Sequence, residues 1–292
     1  MTQTDLTRQY FTQQLAALGV ARYEFCLVDA NSGRAERHLW SASHALSRLS
    51  WLKHRNASEW HIYLRPETCE PIVLVDDLSH AGVEAMRADG LGALCIVESS
   101  PDNFQAWVRV AESPIPHELA TGIGEVLATR YEADLRAKSF RQPGRAVGFT
   151  NVKPKHKLPN GLFPFVRLHE ASGQSAQKPA ALVDSARALL KERRASRAQI
   201  RNRYLKRSRR VGLEDPQSFF ENAVAYICKQ YGADTDLSRA DAAAARRMLT
   251  HGYAAADVAT AMLRSEAIHD RRGHRVADYV DRTVAWAVDH VG

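Results

Sequence analysis

Apolar positions follow two regimes along the chain: short alternating or clustered runs up to about residue 170, and helical spacing beyond it. Leu6, Tyr10, Phe11, Leu15 and Leu18 recur at helical spacing and stop at Gly19, which predicts an amphipathic helix with a glycine terminator. Tyr23–Val28 predicts a strand, closed by a turn at Asn31-Ser32-Gly33. Ser41 or Ser43 suits the cap of a helix running through Leu46, Leu49 and Trp51 to Leu52. Further strands are predicted at His61–Pro66, Ile72–Asp76 and Ala93–Val97, with a helix over Ala81–Ala88. Phe104–Val110 alternates, so Phe104, Ala106, Val108 and Val110 face a core while Gln105, Trp107 and Arg109 share the other face. That second face reads either as a ligand surface or as a ring lying flat on a neighbouring loop. Residues 116–131 predict a helix weakened by Gly122 and Gly124, and Phe163–Leu168 a last strand.

Residues 174–180 are small or polar, like a linker. Leu182–Tyr204 lacks proline and glycine and predicts a long helix. From 191 to 210 its bases include Arg193, Arg194, Arg197, Arg201, Lys206 and Arg207, against one acid, Glu192. So basic a helix is either a solvated spacer or lies against a polyanion. Four short helices are expected after Pro216, around Phe219–Ile227, Ala242–Leu249, Ala255–Leu263 and Tyr279–Ala287, forming a small bundle.

The net charge of +7 and a pI near 9.3 favour a polyanionic partner. Cys26, Cys69, Cys95 and Cys228 are too scattered for a disulfide set or a zinc site. No apolar run has the length of a membrane helix and the N-terminus lacks a signal-peptide pattern, so a cytoplasmic protein is expected. There is no P-loop, no Gly-x-Ser-x-Gly elbow and no His-x-x-x-His pair. His38, His44, His54 and His61 read as surface or packing residues.

Two features carry chemistry. Ile72-Val73-Leu74-Val75 ends in adjacent carboxylates, Asp76 and Asp77. They read either as a helix cap, with Asp77 capping the segment from Ser79, or as ligands of a hard cation. Both reach one ion only if the strand bends there, because neighbouring strand residues point to opposite faces. Residues 136–157 mix glycines with Arg136, Lys138, Arg141, Arg145, Lys153, Lys155, His156 and Lys157. With few apolar residues this passage is not expected in the core, and it suits phosphate binding.

These segments resemble the plasmid-encoded RepB-type primases of IncQ replicons, within the archaeo-eukaryotic primase superfamily. The likeness rests on Trp40-Ser41-Ala42, Trp51-Leu52-Lys53, Tyr63-Leu64-Arg65-Pro66, Leu74–Ser79, Glu98–Val108, Tyr131–Asp134, Gly144-Arg145, Gly148–Asn151, Lys153, Lys155-His156 and Ala277–Val284. It implies an α+β, mixed-sheet catalytic domain over 1–170, a linker and basic helix over 171–210, and a DNA-binding all-α bundle over 211–292. It implies de novo primer synthesis on single-stranded DNA from nucleoside triphosphates, with two Mg²⁺ or Mn²⁺ ions held by Asp76, Asp77 and Asp134. Triphosphate contacts fall to Arg145, Lys153, Lys155 and His156. Gln105 stands where many relatives in the superfamily carry a phosphate-binding histidine, with Arg109 on the same face to supply charge. Trp107 and Tyr63 are candidates for base stacking. Implied partners are the template, an initiation-site hairpin and replication proteins of the same replicon, around a monomer. The rival readings are a non-catalytic single-strand-binding accessory protein and a metal-dependent nuclease.

Overall fold

The computed structural model describes residues 5–67, 70–137, 139–177, 179–206, 212–232 and 235–291. Its first elements are α1 (Leu6–Leu18), β1 (Tyr23–Asp29), β2 (Ala35–Trp40), α2 (Ala42–Ser47), α3 (Leu49–Ala57) and β3 (Trp60–Pro66). There follow β4 (Ile72–Leu78), α4 (His80–Ala88), β5 (Cys95–Ser100), β6 (Asn103–Arg109), α5 (His117–Arg130), β7 (Gly144–Arg145) and β8 (Arg167–Glu170). A long helix, α6 (Pro179–Leu205), leads to α7 (Pro216–Tyr231), α8 (Leu237–His251), α9 (Ala255–Arg264), α10 (Glu266–Arg272) and α11 (Val276–Asp289). The chain divides into two compact units, 1–190 and 191–292.

Local sequence sets the element ends. Asp5 accepts a hydrogen bond from the Arg8 amide to start α1, and Gly19, at φ 58°, ends it. Ser41 caps α2, and the single helix expected there is broken at Arg48 into α2 and α3. β2 escaped prediction because it is a sheet edge with no fully buried residue to mark its alternation.

The first unit is α+β, as expected, but its mixed sheet is two four-stranded sheets, ordered β2-β1-β3-β7 and β4-β6-β5-β8. Every strand pairing in them is antiparallel. Tyr23, Phe25, Leu27, Ile62 and Leu64 of the first sheet share a core with Ile72, Leu74, Cys95, Val97 and Trp107 of the second, closed by Phe11, Leu15 and Leu18 of α1. On its other face the second sheet packs Val73, Val75, Ile96, Ala106 and Val108 against α4, α5 and the start of α6. A sheet covered on both sides has no free face. The polar set of β6 is therefore internal: Trp107 is 1% exposed, which removes it as a base-stacking platform. The unit also runs past residue 170, because Leu182 and Ala186 of α6 are buried with Leu119, Ile123 and Leu127 of α5.

Part of the passage not expected in the core is nevertheless buried, while Arg136, Arg141, Lys153, Lys155 and Lys157 stay at its surface. Ala146, Val147, Phe149 and Val152 are all buried. Gln14 of α1 pins it, donating to the Arg145 carbonyl (3.0 Å) and accepting from the Val147 amide (3.0 Å). Gly148, at φ 85°, lies where a Cβ would come within 2.8 Å of the Thr7 carbonyl oxygen. Glycine is required there by close approach and by backbone conformation together.

The second unit is a helical bundle around Phe220, Ala244, Met248, Leu249, Tyr253, Val258, Met262, Ile268 and Val280. It holds one more helix than expected: α10 offers only Ile268 to this core, too little for a periodic signal. Asp241, 1% exposed, is satisfied by Arg271 (3.0 Å) and by the Tyr279 hydroxyl (2.6 Å).

Candidate active site

The cleft is organised by the end of β4. Its pairing with β6 slips between Val75 and Leu78, and Asp77 takes the left-handed backbone conformation at φ 57°. Aspartate tolerates that conformation better than most residues. The slip removes the alternation that would have sent neighbouring side chains apart, and both Asp76 and Asp77 line one cleft of about 340 Å³. The helix-cap role falls elsewhere: Ser79 caps α4, its hydroxyl accepting from the Gly82 amide at 3.1 Å.

Each carboxylate is held by one oxygen. Asp76 Oδ1 accepts from Gln105 Nε2 (2.7 Å) and from the Asp77 amide (2.9 Å), while Asp77 Oδ1 accepts from Asn103 Nδ2 (2.9 Å). The Oδ2 atom of each accepts no hydrogen bond among the described residues. Burial, followed by the neighbouring Asp77 charge, pushes the Asp76 carboxyl above its ordinary value despite the Gln105 hydrogen bond. Asp134 is brought in by the main chain, its amide donating to the Asp76 carbonyl at 3.0 Å. Its side chain is turned to Arg136, accepting from that residue's amide (2.8 Å) and Nε (3.3 Å).

The cationic lining comes from residues 145–156. Arg145 is 3% exposed, its guanidinium 4.4 Å from the Tyr63 ring centroid and its Nη1 donating to His61 Nδ1 at 2.9 Å. Arg145 Nη2 is buried with no partner among the described residues. A buried donor left open at a cleft wall calls for an anionic acceptor. Burial, then the Arg145 and Lys153 charges, lowers the His61 pKa to about 4, which keeps the ring neutral and its Nδ1 an acceptor. Lys153, Lys155 and His156 line the same cleft. Burial, then Arg145, lowers the Lys153 pKa, and burial, then Lys155, lowers that of His156.

The structure thus gathers Asp76, Asp77, Asp134, Gln105, Arg145, Lys153, Lys155 and His156 around one cavity, with Tyr63 beside them. Gln105 enters as a strut. Its Nε2 holds Asp76 while its Oε1 accepts from the Arg145 amide at 2.7 Å, so both ends of the amide are taken. Arg109 is elsewhere, donating to the Leu18 carbonyl (3.3 Å) and facing Glu70 (3.7 Å). It pairs with Ile72 at the far end of β4, so it cannot supply the charge expected beside Gln105. Arg194, Arg201 and Lys206 are exposed and Arg193 half-buried, whereas Arg207 and the Arg197 side chain lie outside the described residues. His61 escaped sequence reasoning as a site residue, and Arg136 entered it only as one base of the phosphate-binding passage, not as the partner of Asp134. Only a register placing His61 two residues before Tyr63, on the face of Arg145, would have flagged the histidine.

Among the described residues, no three His, Cys, Asp or Glu side chains stand together as a ready metal-ligand set. Asp76 and Asp77, each with an open oxygen, nevertheless fit a hard divalent cation, and Asp134 fits once Arg136 releases it.

A carboxylate pair and a buried, partly unsatisfied guanidinium around one cavity have the chemistry that suits phosphate-bearing ligands. The chain belongs to the RepB DNA-primase family: the model of that family's N-terminal domain matches residues 15–195, and that of its C-terminal helical domain residues 235–287. It is 36% identical to mobilization protein A of Escherichia coli over 96% of its own length, and spans 40% of that protein. The crystal structure of primase RepB′ matches with a TM-score of 0.61 at 32% identity, over 96% of this chain and 94% of that one. The catalytic domain of primase RepB′ in complex with initiator DNA matches with a TM-score of 0.59 at 36% identity, over 65% of this chain and 98% of that one. No described helix is long and apolar enough to cross a membrane.

Proposed function

We propose that this chain is a primase, a nucleotidyltransferase that synthesises short primers de novo on single-stranded DNA and so starts replication of a plasmid or mobile element. The observation that carries this reading is the kink at Asp77, which turns Asp76 and Asp77 into the cavity that Arg145, Lys153, Lys155 and His156 also line. Mg²⁺ or Mn²⁺ held by Asp76, Asp77 and Asp134 would lower the pKa of the attacking 3′-hydroxyl and neutralise charge on the α-phosphate and departing pyrophosphate.

The protein's own groups do the positioning. Gln105 fixes the Asp76 carboxylate, and Asn103 fixes that of Asp77. Arg145, braced by His61 and Tyr63, presents its open Nη2 to the triphosphate, with Lys153, Lys155 and His156 beside it. Arg136, now held by Asp134, would be free to pair with substrate phosphate if that carboxylate turned to hold a cation. Arg193, Arg194, Arg197, Arg201, Lys206 and Arg207 hold template backbone, giving affinity without sequence reading. Partners on this reading are the template, an initiation-site hairpin and replication proteins of the same replicon, with the protein a cytoplasmic monomer.

The test is incorporation of labelled nucleotide on a single-stranded template with Mg²⁺ or Mn²⁺. Asp77→Asn keeps both the side-chain shape and the tolerance for the left-handed backbone. It, Asp76→Ala and Asp134→Ala are expected to lose synthesis while retaining DNA binding. Synthesis that survives Asp77→Asn refutes the assignment. Template degradation by the wild type means a nuclease, and binding without product means a non-catalytic accessory protein.

A further inference from the structure

The bundle carries an open groove of about 700 Å³, between α8, α11 and the end of α10. Tyr279, Arg282 and Trp286 enter it from α11 at i, i+3 and i+7, one stripe of the helix. Ser238 and Arg239 enter from α8 and Arg272 from α10. Three lining residues are arginines and none is Asp or Glu.

Trp286 is 41% exposed, and His290 stacks on it with ring centroids 4.4 Å apart and an interplanar angle of 17°. His290 Nδ1–H donates to the Trp286 carbonyl at 2.7 Å, which holds the ring pair in place before any ligand arrives. Arg272 lies over the Tyr279 ring, 4.2 Å from its centroid, and Nη2 donates to Ser238 Oγ at 2.5 Å. Its Nε is shielded from solvent and has no acceptor among the described residues. Arg282 pairs with the exposed Asp278 carboxylate (2.9 Å) and donates Nε to the Asp278 carbonyl (3.3 Å), and Arg239 faces the exposed Asp236 (3.9 Å); exposed ion pairs of this kind hold weakly and exchange readily.

A preset indole with one side in contact with a neighbour, next to three guanidiniums, matches a ligand that repeats flat π-faces and single negative charges. An apolar ligand leaves the cations unpaired, and an acidic peptide has no use for the ring. We propose that this groove holds a short run of single-stranded nucleic acid, with a base on Trp286 and the adjoining phosphates on Arg272 and Arg282. The inference rests on the reading of the chain as a protein acting on single strands, and gives that grip a place in the second unit.

The test measures binding of a fluorescein-labelled oligothymidylate by the full chain across a range of salt. Trp286→Ala is expected to weaken binding about tenfold, and Trp286→Phe to recover most of the loss. Arg282→Glu is expected to weaken it by about tenfold and to flatten the slope of log affinity against log salt by roughly one. Both sites are exposed, and thermal melts check that each variant is folded. Wild-type affinity in both Trp286→Ala and Arg282→Glu overturns the proposal. So does equal loss in the Phe and Ala variants, or displacement of the strand by thymidine triphosphate at the same concentration in nucleotides, which makes the groove a mononucleotide pocket. Synthesis by wild type and its loss in Asp77→Asn are read separately, so the groove can fail while the priming reading stands.

Discussion

Gln105 is the point where the acidic and basic walls of the cleft are tied together, and Gln105→Leu cuts both ties while nearly conserving volume. Loss of the Nε2 donor releases Asp76 Oδ1, but that carboxylate borders the cavity and regains water, so about 1 kcal/mol is charged to it. Loss of Oε1 strands the Arg145 amide, in a residue 3% exposed, at a cost of about 1–3 kcal/mol. The sum is about 2–4 kcal/mol. Trp40, Trp51, Trp60 and Trp107 lie in the first unit and Trp286 in the second, so in a Trp286→Phe background indole emission reports the first unit alone. Urea unfolding followed this way is expected to show the destabilisation at neutral pH. Gln105→Glu restores an acceptor for the Arg145 amide but sets a second carboxylate against Asp76. That pair has a raised pKa when folded, so its cost is present at neutral pH and fades as the pH falls through it. A Gln105→Leu protein within about 0.5 kcal/mol of wild type, or a Gln105→Glu protein that worsens on mild acidification relative to wild type, refutes the strut.

His61 should make the first unit acid-sensitive. Its folded pKa of about 4 lies below its ordinary value, so its contribution is whole above about pH 6.5 and is lost as the pH falls towards 4. Between about pH 7.5 and 5 the loss is about 2 kcal/mol. Urea midpoints should show it in wild type and not in His61→Gln; equal pH dependence in the two would exclude His61 as the cause. In the bundle, Asp241→Ala leaves Arg271 without its buried partner and should cost about 3–5 kcal/mol, read by calorimetry as a lowered midpoint of the bundle's transition.

Sequence reasoning went furthest where chemistry and secondary structure coincide. Asp76 and Asp77 stood out because a buried strand does not end in two anions without a reason, and the required bend is the left-handed residue at Asp77. It failed where burial comes from a distant partner. Residues 144–152 look like a polar loop, yet Gln14, more than a hundred residues earlier, supplies the hydrogen bonds that let their backbone be buried. Arg109 and Trp107 shared a face with Gln105, as the alternation demanded, but a strand seven residues long carries that face from the cavity into the core. Nothing local to β6 reveals which of its ends is open.

The start of α6 has a practical consequence for anyone dividing this protein. Leu182 and Ala186 plug the outer side of the second sheet against α5, although they lie beyond the last strand. A fragment stopped at the end of β8 would uncover the α5 surface at Gly122, where Ala186 and Leu190 lie, and would invite self-association that mimics a genuine oligomer. Carrying the cut to about Leu190 keeps the lid on, so differences between fragment and whole chain then report the missing helices and not a damaged remainder.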